Sequence, residues 1–496
     1  MKKAGQGAKK NPVILVRVEM TGGDIHGMEV ASGILTSSGH MESPGSRIAR
    51  GMGKCCVAGA FDIEVDEKAR EMRVKGQTFK EGDWISVDGT TGRVIKGKLN
   101  TFPTYDVPDL LKFMDWADAY RTMKVRADAD VPRDAIQARA FGAEGIGLCR
   151  TEHMFFDEMK IQHMRAMILA TNEKDRRTAL GKLLFMQRAD FAGVFKAMDG
   201  LPVTIRLLNA PLHEFLPRRE DLMVELAALQ RADTKEKRRL VARYYHYGAK
   251  AVGDLKKLLA ALLNRVEQLH EFNPLLGHRG CRLGITYPEI TEMQVRAIFE
   301  AAVDVTKKGV KVYPEVMIPM TATLKEMANQ SAIIRRVAKE VFTEKEKTVD
   351  YQVGTMIELP RAALLADEIA KDAEFFSFGT NDLTQTTWGF SRDDAKKVLP
   401  TYLAKGIIKE DPFAVLDRDG VGQLVKMATE RGRKTRPDLK VGICGEHGGE
   451  PSSVEFCHRA GLDYVSCSPY HVLTARLAAA QAGVRENLRV AGAITK

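Results

Sequence analysis

The sequence predicts an α/β protein in which a closed barrel of parallel strands follows a small mixed module. Two observations carry this. From Lys124 onward, short β-like runs alternate with helical ones eight times, which is the alternation of a TIM (β/α)8 barrel with insertions. Before that point, residues 1–100 hold short β-rich runs broken at close intervals by turn signals. The 496 residues leave room for two or three domains, and 44% hydrophobic content suffices for real cores.

In chain order, residues 13–20 read as a strand and residues 27–32 as a short helix leading into the strand 33–36. Ser46 to Gly51 reads as helical, and residues 55–58 as a further strand. Turns follow at Gly82, Gly89 and Gly92, and this small α/β module closes near Asn100. Two apparent phosphate loops fail on inspection. Residues 92–99 put Leu99 where a metal-binding hydroxyl belongs, and Gly5-Gln6-Gly7 has no strand before it. Residues 101–123 form a linker passing into an amphipathic helix, with Leu110, Leu111, Phe113, Met114 and Trp116 on its apolar side. The barrel then occupies 124–496, with candidate strands at 124–127, 145–149, 202–208, 280–285, 312–317, 351–357, 375–379 and 441–444. A charged helical insertion spans 218–270.

Composition excludes some classes. The 75 basic and 65 acidic side chains leave +10, but they are interspersed, which suits anionic substrates and argues against nucleic acid as partner. No apolar run approaches the ~20 residues of a bilayer span, so no membrane partner is expected. The basic start lacks an apolar signal core, and the seven cysteines include no C-x-x-C pair. A reduced, cytoplasmic protein is the expectation.

The candidate chemistry lies at the strand ends. Residues 351–385 read as a strand ending at Glu358, a helix started by Pro360, and a strand ending in Gly379-Thr380-Asn381-Asp382. Parallel strands put their carboxyl ends on one side, so Glu358 and Asp382 meet there and suit a hard cation such as Mg2+. Arg150 ends the second run, Arg206 and Asn209 the third, and Cys444 the last, while His278, Arg279 and Arg282 cluster around the fourth. Arginines at separate strand ends, paired carboxylates and a thiol are what a phosphorylated carboxylic acid requires. Taken singly, each residue has a structural alternative. Glu358 and Asp382 can cap helices, Arg150 can sit in a salt bridge, and Cys444 can fill a core. His278 and His447 read as hydrogen-bonding supports, since no second histidine stands at ligand spacing.

At these residues the chain resembles the carboxyl-terminal part of the pyruvate, phosphate dikinase family. GIGLCRTEHMFF, NPLLGHRGCRLGITYPEITEMQ, GTMIELPRAALLADEIA, EFFSFGTNDLTQ and VGICGEHGGEPSSVEFC carry the likeness, which covers nearly all of residues 11–482. Phosphoenolpyruvate (PEP) synthase and the phosphotransferase-system Enzyme I share the barrel, but the wording here is closer to the dikinase. The resemblance implies that Arg150 and Arg206 hold the phosphoryl and carboxylate groups of PEP. Glu358 and Asp382 would bind Mg2+, and Gly379, Thr380 and Asn381 would line the pocket. Cys444 would donate a proton to the methylene carbon as pyruvate forms. It also implies a homodimer through the barrel.

The departures matter as much. The family has an ATP-binding domain that is not found here, and its small swivelling domain carries phosphate on a histidine in M-T-S-H-A-A-V-V-A-R. This chain reads Met41-Glu42-Ser43-Pro44-Gly45-Ser46-Arg47-Ile48-Ala49-Arg50, so Pro44 stands at the carrier position in a module that looks truncated. Neighbouring His40 is badly displaced for that task. A reading-frame slip over residues 42–48 would account for the scrambled patch. Asn209-Ala210 replace the family's Asp-Pro. The expected function is therefore the PEP and pyruvate half of a dikinase-type phosphotransferase, with a separate ATP-binding chain needed for full turnover. A catalytically incomplete binding subunit is the alternative, and a barrel lyase or mutase a third.

Overall fold

The computed structural model describes residues 12–20, 24–39, 46, 49, 54–89, 91–100, 108–231, 233–244, 252–392, 394–395 and 398–490. His40 and Pro44 lie outside them. The chain divides into two compact units, Met1–Val107 and Pro108–Lys496.

In the first unit, Ile14–Arg17, Gly33–Thr36 and Cys55–Val57 form a parallel sheet in that order. The helix Ile25–Val30 connects its first two strands, and Met28 and Ile34 are fully buried together. Ser46 and Ala49 are helical and buried. Glu64–Asp66, Glu71–Val74 and Gln77–Lys80 form an antiparallel meander, and Ile85–Asp88 pairs with Arg93–Lys96 as a hairpin.

The second unit is a closed barrel of eight parallel strands: β1 (Lys124–Asp128), β2 (Ile146–Arg150), β3 (Pro202–Arg206), β4 (Tyr313–Ile318), β5 (Gln352–Ile357), β6 (Phe375–Gly379), β7 (Lys440–Cys444) and β8 (Tyr464–Cys467). Each pairs with its sequence neighbour, and β8 closes on β1 through Val465 opposite Val125. Strands this short and this buried need helices on the outside, and the main core lies between the two layers.

One expected strand is wrong. Residues 280–285 lie in a helix, Cys281–Thr286, and the barrel closes with Tyr464–Cys467 instead. A short apolar run does not distinguish strand from helix by periodicity. Here Gly280 adopts φ +58 and the Cys281 amide donates to the Pro319 carbonyl, which turns the chain into a helical start rather than along the sheet. The sixth to eighth expected strands are consequently β5, β6 and β7.

The barrel interior is filled from both ends. Leu148, Met317, Met356, Phe375 and Cys444 form an apolar cluster inside it. At the amino-terminal end, Arg126 pairs with Glu315 at 2.7 Å and stacks over the Tyr464 ring at 4.1 Å. The ring takes the space that a β-carbon at Gly442 would need, 2.1 Å from its Cζ. Between β3 and β4, the helices Arg219–Arg231, Thr234–Arg243 and Val252–Leu269 bury Leu222, Leu240, Leu255 and Leu259 against Phe155 and Phe215. Helix Pro108–Asp118 belongs to this unit: Asp118 pairs with Arg476 at 2.6 Å, and Met114 packs with Ala480.

Candidate active site

Arg150, Arg206, Gly379 and Cys444 end barrel strands, Asn209 and Glu358 follow them, and Thr380, Asn381 and Asp382 open the helix after β6. His278, Arg279 and Arg282, by contrast, lie on no barrel strand but before and in the helix Cys281–Thr286. Arg150 ends β2. Its guanidinium donates to Asp128 Oδ2 at 3.0 Å, and its amide to Asp130 Oδ1 at 2.6 Å. Burial opposes its charge, but Asp128 and Asp130 more than offset this and raise its pKa. Arg206 ends β3 and is ion-paired with Glu152, two residues past Arg150. Its Nε has no partner, nor has Glu152 Oε2. Burial pushes the Glu152 carboxyl up, yet Arg206 and His153 bring it below the ordinary range.

Glu358 follows β5 and is 1% exposed. Its Oε1 accepts the Met320 amide at 2.6 Å and the Asn209 side-chain amide at 3.5 Å. Met320 reaches it from a left-handed backbone, φ +60, which is uncommon and costly for a residue with a β-carbon. Asp382 lies in the first turn of the helix Thr380–Trp388 that follows β6. Arg279 donates to Asp382 Oδ2 at 2.6 Å and to Asn209 Oδ1 at 3.1 Å, tying the ends of β3 and β6 together. Gly379 ends β6 because a β-carbon there would fall 2.6 Å from Met356 Sδ and 3.0 Å from Glu358 Cβ.

Burial and the nearby Asp382 push the Glu358 carboxyl up to about 8, with Arg206 and Arg279 opposing. Two carboxyl groups forced this close share a proton unless a cation lets both ionise. Asn381 Oδ1, between them in sequence order, is buried with no partner. The donor set is thus all oxygen and suits a hard divalent cation. Among the described residues no group of three or more His, Cys, Asp or Glu is clustered for metal binding.

Cys444 ends β7, 3% exposed, with its thiol donating to the Phe378 carbonyl at 3.5 Å. Burial, then Asp128, pushes it up to about 12, against Arg150, Arg206 and the Ser377 hydroxyl. It is therefore a protonated thiol and a poor nucleophile. Those partners also place it: the two arginines and the thiol share one electrostatic neighbourhood.

Several residues here were not singled out from the sequence. Asp128 and Glu152 hold the two arginines, and Ser377 and Tyr464 stand beside Cys444. Glu152 was within reach, adjoining Arg150 in the run RTEH. Tyr464 was hidden with its unrecognised strand. His278 stands apart from the carboxylates, with Nε2 3.0 Å from Thr286 Oγ1.

The profile of the PEP-utilising enzyme PEP-binding domain matches residues 106–484, and that of the PEP-utilising enzyme mobile domain matches residues 9–92. The chain belongs to the PEP-utilising enzymes. Within that family, it is 57% identical over 471 residues to pyruvate, phosphate dikinase 1, chloroplastic, of Arabidopsis thaliana, covering 95% of this chain and 46% of the relative. Pyruvate, phosphate dikinase 2 of Zea mays is 55% identical over 472 residues, covering 95% of this chain and 51% of the relative. The chain spans about half the length of the curated relatives it matches. A solved citrate lyase structure from Burkholderia xenovorans is similar only distantly, at 13% identity and a TM-score of 0.27 over 39% of this chain and 53% of that one.

Proposed function

We propose that this PEP-utilising barrel binds PEP and pyruvate with Mg2+ and carries out the PEP and pyruvate half of a dikinase-type phosphoryl transfer. The observation that supports it best is one buried neighbourhood at the strand ends holding Arg150, Arg206, a carboxyl pair and a protonated thiol. Arg150 and Arg206 grip the phosphoryl and carboxylate oxygens, the open Nε of Arg206 being one free donor. Glu358 and Asp382 hold Mg2+, which supplies positive charge for the phosphoryl and enolate oxygens. Gly379, Thr380 and Asn381 wall the pocket.

As the acceptor takes the phosphoryl group, the bond from phosphorus to the enol oxygen breaks and its electron pair stays on that oxygen. The methylene carbon then takes the Cys444 proton, giving pyruvate and a thiolate that must be reprotonated before the next turnover. A thiol near 12 parts with its proton only to a strongly basic carbon, which is what an enolate presents.

The first unit is read as the mobile phosphohistidine-type domain, residues 1–100, joined through 101–123 to the barrel at 124–496. Pro44 at its carrier position cannot accept phosphate, so turnover with ATP and phosphate would need a separate chain to supply the carrier. The reading extends to a homodimer through the barrel. Seven free cysteines support a reduced compartment such as the cytoplasm, while the Arabidopsis relative is named chloroplastic. Among the described residues no helix is long and apolar enough to cross a membrane.

Isothermal titration of oxalate, a planar stand-in for enolpyruvate, tests the reading. Mg2+-dependent binding that Glu358→Ala abolishes supports it. A chain that binds no oxalate is instead the non-catalytic subunit that Pro44 brings to mind.

A further inference from the structure

The His447 imidazole is fully buried on the short turn Glu446–Gly448 after β7, three residues past Cys444. Its Nε2 lies 3.0 Å from the Pro412 carbonyl and its Nδ1 2.7 Å from Thr380 Oγ1. Burial drives the ring's pKa down to about 4, against Pro412 and Glu446, so the ring carries one proton at neutral pH. A carbonyl only accepts, so that proton sits on Nε2 and Nδ1 is left as an acceptor. The Thr380 hydroxyl must then donate to it. A hydroxyl has a single proton, and with it committed to His447 the oxygen can only accept from anything else.

Thr380 is fully buried and opens the helix that also carries Asn381 and Asp382. It stands at the same helix start as Asn381, whose Oδ1 is buried without a partner, and Asp382, whose carboxylate lies beside Glu358. PEP itself has no donor to offer them at neutral pH. The water shell of a divalent cation consists of donors, and a fixed acceptor beyond the metal's own ligands orients such waters.

We propose that His447 is a positioning residue that sets the polarity of Thr380, turning its hydroxyl into an acceptor for a water carried by the cation. This rests on the function proposed above. A merely structural His447 would tie the β7 turn to the helix without regard to which group holds the proton.

The test uses the full chain. In 15N spectra of the imidazole, the ring proton should be on Nε2. Thr380→Val should shift the Nδ1 resonance, whose donor is lost, without moving the proton. Calorimetry with Mg2+ alone, then with oxalate and Mg2+, reads the consequence. Thr380→Val should weaken binding by ~10-fold, the lower end of what loss of an outer-shell partner costs. His447→Gln puts its amide nitrogen near the Nε2 position to donate to Pro412 and leaves no acceptor at the Nδ1 position facing Thr380, and should weaken it equally. The double variant should be no weaker than either single one, because both remove the same interaction. His447→Asn, able to offer an acceptor near Nδ1, should bind within about 3-fold of the parent, as a restored partner would. A proton on Nδ1, additive losses in the double variant, or unchanged binding by Thr380→Val overturns the proposal. A parent chain that binds neither Mg2+ nor oxalate overturns the function instead, and the imidazole spectra then decide the Thr380 polarity alone.

Discussion

Arg279 donates to Asp382 at 2.6 Å, although 103 residues separate them and Arg279 lies on no barrel strand. It enters the strand ends from the turn before the helix Cys281–Thr286, and its side chain is 6% exposed. The same guanidinium holds Asn209, so one arginine braces two strand ends at once.

Arg279→Met should therefore leave Asp382 as an unpaired buried charge and destabilise the fold by about 3–5 kcal/mol, the cost of breaking such a pair from one side. Urea unfolding measures this. Saturating Mg2+ should recover part of the loss, because a bound cation replaces the missing positive charge. No recovery would argue against Asp382 as a ligand.

The Glu358 carboxyl, raised to about 8 from an ordinary 4.5, makes stability depend on pH in a definite direction. The folded state binds the extra proton between those values, so the metal-free protein loses stability as pH rises from 4.5 through 8. Mg2+ should remove that loss and release a proton on binding. Thermal midpoints in chelator and in Mg2+ across this range check it, and Glu358→Gln should flatten the chelator curve.

Cys444→Ala should slow exchange of the pyruvate methyl protons with solvent by about 10²–10⁴-fold, the usual contribution of a positioned acid or base. Oxalate affinity should change little, since the thiol makes no bond to the carboxylates or to Mg2+ in this reading. Deuterium incorporation followed by NMR separates the two effects. A parallel fall in both would make Cys444 a packing residue.

Glu315, at the opposite end of the barrel, is held low. Burial alone would raise its carboxyl, but Arg126 and Lys440 bring it down to about 2. Its contribution to stability is present above 4.5 and is lost as pH falls from there through 2. Glu315→Gln should cost about 3–5 kcal/mol at neutral pH, as a broken buried pair does. It should also shallow the acid limb of the stability profile, without touching oxalate binding.

Much of the site was legible because strand ends are local features. GLCR and MIELP each announce a buried run that stops at a functional group, and the alternation of runs announces a barrel that collects such ends on one face. The partners of those groups were not legible. Asp128 and Glu152 look like any acidic residues in the sequence, and they become meaningful only as the anions holding Arg150 and Arg206. The two errors about strands share one cause. YVSC is buried throughout and CRLGIT buries Cys281, Leu283 and Gly284 while exposing Ile285, and runs of four to six residues are too short for periodicity to separate helix from strand.

By itself the sequence determined the alternation of elements, the apolar faces they bury, and the chemical types standing at the strand ends, because these depend on neighbours along the chain. Only the tertiary structure decided which run closes the barrel, that Arg279 reaches Asp382, that Met320 turns its amide onto Glu358, and which ring nitrogen of His447 faces Thr380. Those depend on contacts between separate segments, 38 residues apart for Met320 and Glu358, 67 for Thr380 and His447 and 103 for Arg279 and Asp382, and on the shift in proton affinity that burial imposes once the segments have met.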